Sequence, residues 1–206
     1  MKHSSNIEGP ARNAEPALTT PIHMVDLKQQ YLRIKPAVDA AMQRCIDDTA
    51  FIKGPQVAQF EGTLAEYLRV GQVVSCANGT DALQLAMMAL DLRPGDEVIV
   101  PAFTYVAAAE VIALLGLVPV MVDVDPQTFN LTAQNMEQAI TAKTRAVVPV
   151  HLFGQCAEME PILDLCKAND MYVIEDNAQA IGADYTFDST GEVISAGALG
   201  HLGTTS

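Results

Sequence analysis

Residues 94–122, PGDEVIVPAFTYVAAAEVIALLGLVPVMV, decide the fold class. Pro94, Gly95 and Asp96 form a turn signal. Residues 97–100 then give a short apolar run that reads as a strand. Residues 105–115 read as a helix, and residues 118–122 return to a β-branched run, a second strand. A strand, a helix of about ten residues and another strand make a right-handed crossover between parallel strands. Such strands are apolar at every position because helices cover both faces, so burial on both faces is expected. This is also the most apolar part of the chain. Glu110 splits it, and Pro101 and Pro119 punctuate it. Neither half reaches the ~18 to 20 residues of a membrane span, so no membrane insertion is expected.

The same alternation continues on both sides. Towards the C-terminus, Asp125-Pro126 turns the chain into a helix over 133–140, with Thr132 as its N-cap. A strand over 146–150, a helix over 159–168 and a strand over 172–174 follow. Residues 184–197 form a hairpin or loop excursion with Asp188 to Gly191 at its tip, and 198–206 resume an apolar, Gly-punctuated run. Towards the N-terminus, residues 73–76 read as a strand and 81–90 as a helix. Val57, Phe60, Leu64 and Leu68 mark one face of an earlier helix. Before the Gly54-Pro55 break, Tyr31, Ile34, Val38, Met42, Cys45 and Ile46 recur at helical spacing over 27–47. Residues 1–21 are polar, with no period, and read as a flexible leader. The class is α/β: a mostly parallel sheet flanked by helices, in one domain over 22–206.

Composition agrees. A chain of 206 residues, half of them hydrophobic, can build a sizeable core. The formal net charge of −13 argues against a nucleic-acid backbone or anionic lipid as partner, since both need a basic face. Cys45, Cys76, Cys156 and Cys166 show neither paired-cysteine nor zinc spacing. They read as reduced thiols, and the N-terminus lacks the apolar core of a secretion signal, so a cytoplasmic location is expected.

In an open α/β sheet, ligands sit beyond the carboxyl ends of the strands. After the run 73–76 comes Ala77-Asn78-Gly79-Thr80-Asp81 at a helix start. Free N–H groups, a hydroxyl and the positive dipole end suit a phosphate there. Simple capping by Asn78 or Thr80 accounts for the same residues. Neither the dinucleotide fingerprint nor the P-loop is present. After residues 97–100, Pro101-Ala102-Phe103-Thr104-Tyr105 offers aromatics that could stack on a flat cofactor or pack the rim. After 172–174 comes Glu175-Asp176-Asn177-Ala178-Gln179, where a carboxylate could face a cationic ring nitrogen or cap a helix. His151 follows another strand and reads as structural more readily than catalytic. Together these put a phosphate cradle, a flat aromatic and a carboxylate on one sheet edge, parts that a pyridoxal phosphate site needs.

SCANGTDALQ from Ser75, PGDEVIVPAFTYVAAAE from Pro94, VDVDPQTFNL from Val122, PVHLFGQCA from Pro149 and VIEDNAQAIGA from Val173 occur in order. In these the chain resembles the N-terminal part of the DegT/DnrJ/EryC1/StrS sugar-nucleotide aminotransferases, most of all the branch that aminates 3-keto UDP-sugars for surface polysaccharides. The resemblance implies an incomplete large domain of a type I pyridoxal-phosphate-dependent transferase, a homodimer at full length. It implies pyridoxal 5′-phosphate as cofactor, with a nucleotide-linked keto sugar and an amino-acid donor, glutamate, as partners. Gly79, Thr80 and Ser206 match positions that hold the phosphate, and Tyr105 the aromatic stacked on the ring. Asp176 matches the partner of the ring nitrogen, and Gln179 the neighbour of the ring hydroxyl. The family's Schiff-base lysine falls beyond Ser206, so no catalytic residue is expected within this chain and the chain alone is expected to be inactive. Two alternatives stand beside this reading: a non-catalytic remnant or binding module, and a dehydratase relative in which histidine replaces the lysine. A nicotinamide enzyme shares the α/β pattern but lacks its glycine fingerprint.

Overall fold

The computed structural model describes residues 25–206, so the leader expected over 1–21 lies outside the described residues. The chain divides into two units at Gly54. The first holds helix α1, Leu27–Asp47, with the bounds its apolar spacing predicts. Asp26 caps it, accepting a hydrogen bond from the Gln29 N–H at 2.9 Å. None of its residues is buried. Tyr31, Lys35 and Asp39, one turn apart, form a polar cluster along one face. Hydrogen bonds from Lys35 and Tyr31 hold the Asp39 carboxyl below its ordinary range.

The second unit, from Pro55 to Ser206, is built on a five-stranded parallel sheet. Its strands are β1 (Glu97–Pro101), β2 (Val118–Val122), β3 (Thr144–Val147), β4 (Tyr172–Asp176) and β7 (Leu202–Thr204), in the order β2-β1-β3-β4-β7. A separate antiparallel hairpin, β5 (Asp184–Thr186) and β6 (Val193–Ser195), is the excursion expected there. The helices are α2 (Pro55–Leu68), α3 (Gly79–Ala89), α4 (Ala107–Leu114), α5 (Ala133–Glu137) and α6 (Met159–Ala168).

Strand alternation sorts the core into two layers. Val98, Val100, Ala146, Val148 and Ile174 pack with Leu83 and Met87 of α3 and Val111 and Ile112 of α4. Ile99, Val147 and Val173 point the other way, onto Met136 of α5 and Met159, Ile162 and Cys166 of α6. Burial pushes the Cys166 thiol up to about 12 and, with help from Glu175 and Asp184, the Cys156 thiol to about 11. Thiols so placed are poor nucleophiles. All four cysteines are free.

The structure departs from the sequence reading in several places. Residues 73–76 are not a strand. Among the described residues no strand lies alongside them, Val74 is 80% exposed, and the Ser75 N–H and hydroxyl donate to the Glu61 carboxylate instead. Burial on both faces holds for β1 and β4 but fails for β2, an edge strand with exposed Val118 and Met121. The strand expected over 146–150 stops at Val147, because Pro149 has no N–H for a ladder; only a single bridge joins Val150 to Asp176. α5 keeps its Thr132 cap, whose hydroxyl accepts from the Asn135 N–H at 3.2 Å, but ends at Glu137 rather than 140. β4 runs on through Glu175 to Asp176, so Asp176 ends the strand rather than following it.

Candidate active site

Asn78 stands at the start of α3 in extended conformation, and its side-chain oxygen accepts from the Asp81 N–H at 2.9 Å. Capping is therefore real. It leaves the N–H groups of Gly79 and Thr80, at the positive end of the helix, without intrahelical partners. Both residues line a cavity of about 400 Å³ in the second unit. Tyr105, just beyond β1, lines it too, with 73% of its surface exposed. Asp176 and Gln179 reach it from the end of β4, and Thr204, Thr205 and Ser206 from the end of β7. All six residues singled out in the sequence thus meet around one cavity: Gly79, Thr80, Tyr105, Asp176, Gln179 and Ser206.

The contacts are close. A Cβ built on Gly79 would stand 2.7 Å from Ser206 Cβ, so only glycine lets the two segments approach. Asp176 is buried and accepts a hydrogen bond from the Ala178 N–H at 3.2 Å. Burial pushes its carboxyl above the ordinary range, and the Ala178 N–H pulls the other way. Among the described residues no lysine or arginine pairs with it. No lysine lines the cavity either.

Gln179 is anchored at the rim, its side-chain oxygen accepting from the Phe153 N–H at 2.8 Å. Phe153 and Phe129 both adopt left-handed backbone, at φ of 57° and 61°. Their rings form a partly exposed row with Phe103: Phe103 is tilted against Phe129 with centroids 5.5 Å apart, and Phe153 meets Phe129 edge-on at 6.4 Å. Buried Asn130 ties the two loops together. Its amide donates to the Gln155 carbonyl and its oxygen accepts from the Leu152 N–H.

Phe103 and His151, both weighed from sequence, do not line the cavity. His151 is fully buried and bonded to Glu175 at 2.8 Å, the structural role that suited it better from the start. Sequence reasoning missed Leu83, Thr104, Ala107, Val150, Thr204 and Thr205 in the lining. A polar Gly-Thr-Thr-Ser run directly after an apolar segment was the available signal for the last two.

The donor set has a clear chemical preference. Free helix N–H groups and hydroxyls suit a phosphate, an exposed phenol ring suits a flat ring, and a buried carboxylate without a cation suits a protonated ring nitrogen.

Over 164 residues the chain is 51% identical to the UDP-2-acetamido-2-deoxy-3-oxo-D-glucuronate aminotransferase of Pseudomonas aeruginosa, covering 80% of this chain and 46% of that one. A crystal structure of a DegT DnrJ EryC1 StrS aminotransferase from Brucella abortus superposes with a TM-score of 0.83 at 40% identity, covering 90% of this chain and 50% of that one. The structure of NtdA from Bacillus subtilis with bound cofactor PMP superposes with a TM-score of 0.67 at 38% identity, covering 68% and 32%. The chain spans about half the length, or less, of these relatives. The family profile matches residues 33–206. On that match, and on its likeness in fold and sequence to a solved member, the chain belongs to the DegT/DnrJ/EryC1/StrS aminotransferase family.

Proposed function

We propose that these residues form the cofactor-binding part of a pyridoxal-phosphate-dependent aminotransferase. Its acceptor is the keto carbon of a nucleotide-linked sugar, a 3-keto UDP-sugar first among the choices, its donor is glutamate, and its product serves surface-polysaccharide synthesis. The observation that carries the reading is the meeting of Gly79, Thr80, Tyr105, Asp176, Gln179 and Ser206 around one cavity. The likeness to an aminotransferase named for a 3-oxo UDP-sugar supports the choice of substrate. When bound, pyridoxal phosphate supplies an electron sink for amino-group transfer.

The chain's own part is binding and proton control. The Gly79 and Thr80 N–H groups and the Thr80 and Ser206 hydroxyls hold the phosphate. The Tyr105 ring covers a face of the pyridine. Asp176 holds a proton on the ring nitrogen, and a ring cation gives its buried carboxylate the partner it lacks. Gln179, fixed by the Phe153 N–H, keeps a polar group at the rim for the ring hydroxyl. Among the described residues no amine lines the cavity to shuttle protons, so the full reaction would draw on a group outside that lining.

Equilibrium dialysis of the protein against pyridoxal 5′-phosphate tests the reading. Saturable binding is expected, and Asp176→Asn should weaken it by about 10- to 100-fold, the worth of one charge-assisted hydrogen bond. Equal binding by the two proteins would remove Asp176 from the site. A binding module without catalysis is the second reading, favoured by the lack of lysine in the lining.

A further inference from the structure

Glu175, one residue before Asp176, points away from the cavity and is fully buried. Its carboxylate accepts four hydrogen bonds. Oε1 takes the Leu199 and Gly200 N–H groups, both at 2.6 Å. Oε2 takes the Gly197 N–H and His151 Nε2, both at 2.8 Å. The His151 ring can play only one part. Its Nδ1 accepts from the Ala157 N–H at 3.2 Å, and a backbone N–H can only donate, so the ring proton sits on Nε2 and points at Glu175. Two acceptor oxygens serve four donors, which fills the carboxylate.

Three of those donors, the Gly197, Leu199 and Gly200 N–H groups, lie in the turn that feeds β7. Gly197, at φ 89°, starts it, and a Cβ there would stand 2.9 Å from Asn177 Nδ2. Gly200 passes so close to β4 that a Cβ would stand 2.8 Å from the Val173 carbonyl oxygen. β7 follows at once, paired with β4 with Gly203 opposite Glu175. The Thr204 hydroxyl donates to the Glu175 carbonyl, and the Asn177 N–H donates to the Thr204 carbonyl. Two residues on, Ser206 meets Gly79. A continuous set of contacts therefore runs from the Glu175 carboxylate, through the 197–200 turn and β7, to the end of the cavity where Ser206 meets Gly79.

We infer that Glu175, oriented by His151, is a positioning residue that sets the place of Ser206 against the start of α3. It thereby tunes affinity for the phosphate of the ligand rather than for its ring. The inference rests on reading the cavity as a pyridoxal phosphate site. Glu175→Gln keeps the shape but turns one acceptor oxygen into a donor, which then faces the Gly197 N–H or the Leu199 and Gly200 N–H groups.

The test compares pyridoxal 5′-phosphate with pyridoxal, which lacks the phosphate, by equilibrium dialysis, and reads amide hydrogen exchange in the absence of ligand. Glu175→Gln should lower affinity for pyridoxal 5′-phosphate by about tenfold or more, as loss of a supporting outer group does elsewhere, and leave pyridoxal binding unchanged. Ser206→Ala should weaken phosphate binding in the parent protein and cost nothing further in Glu175→Gln, since the two act through one path. Faster exchange should be confined to residues 197–206, with β1 and β3 still protected. Equal losses for both ligands, additive effects of the two substitutions, or unchanged exchange at 197–206 would each overturn the inference. Should Glu175→Gln fail to fold, Gly197→Ala strains the same turn and leaves the carboxylate in place, and it is read by the same three criteria. A parent protein that binds no pyridoxal 5′-phosphate would sink the cofactor reading, while exchange in Glu175→Gln would still decide whether Glu175 holds the 197–206 segment in place.

Discussion

Asp176 and Glu175 are neighbours of nearly the same chemistry, and the fold gives them opposite tasks. Strand alternation sends one carboxylate to the cavity and the other into the protein. Asp176 carries a cost in the free protein. Its carboxyl is pushed up by burial, so the folded state binds its proton more tightly than the unfolded chain does. Stability contributed by the protonated form is fully present below the ordinary carboxylate value and is lost as pH rises through the raised one. Asp176→Asn removes that loss. Urea melts of the ligand-free protein from about pH 4 to pH 8 should show the parent losing stability, relative to Asp176→Asn, on the way up. Parallel curves would refute the assignment. At this scale the sequence pointed to Asp176, because its position near a strand end was readable. It could not point to Glu175, whose four partners come from residues 151 and 197–200 and exist only once β7 has folded back.

Among the elements, the parallel strands and crossover helices were legible because each carries its own signal: a short apolar run, a helical spacing, a turn. β2 and α6 fall at the residues expected. What escaped was anything dependent on a neighbour. Residues 73–76 have strand composition but no strand beside them, and β7 is three residues long with glycine at its centre. That glycine is a requirement of packing. A Cβ on Gly203 would stand 2.0 Å from the Gly197 carbonyl oxygen, against backbone that cannot rotate away. Gly203→Ala should therefore destabilise the protein by about 3 kcal/mol, the upper part of the usual range for overpacking. Gly62, inside α2, has nothing within 4 Å of a built Cβ. Gly62→Ala should stabilise by about 0.5 to 1 kcal/mol, since alanine loses less backbone freedom in a helix. Urea midpoints measure both, and the pair must move in opposite directions.

At the scale of the whole molecule, the second unit is a sheet with helices on both faces and two open edges. β2 bounds one side and β7 the other, each with a single partner strand. Exposed Val74, Leu85, Met88 and Ile181 add apolar surface to this unit. An open edge is a place where further chain can pair. The residues proposed to hold the phosphate and the ring line the cavity, and no amine joins them among the described residues, so on that reading the 206-residue chain should bind cofactor and yet not turn over. Incubation with pyridoxal 5′-phosphate, glutamate and a 3-keto UDP-sugar should form no 2-oxoglutarate above the level given by free cofactor. Sustained turnover would show that another group of this chain moves the proton.

Tyr105 has one more consequence. The chain contains five tyrosines and no tryptophan, so its ultraviolet emission is tyrosine emission alone. One of the five stands at the mouth of the cavity with most of its ring in solvent. A flat conjugated ligand settling against it would absorb in the range where tyrosine emits. On the proposed reading the protein carries its own optical gauge of occupancy, and Tyr105→Phe would remove the emitter at the cavity mouth while keeping an aromatic ring there.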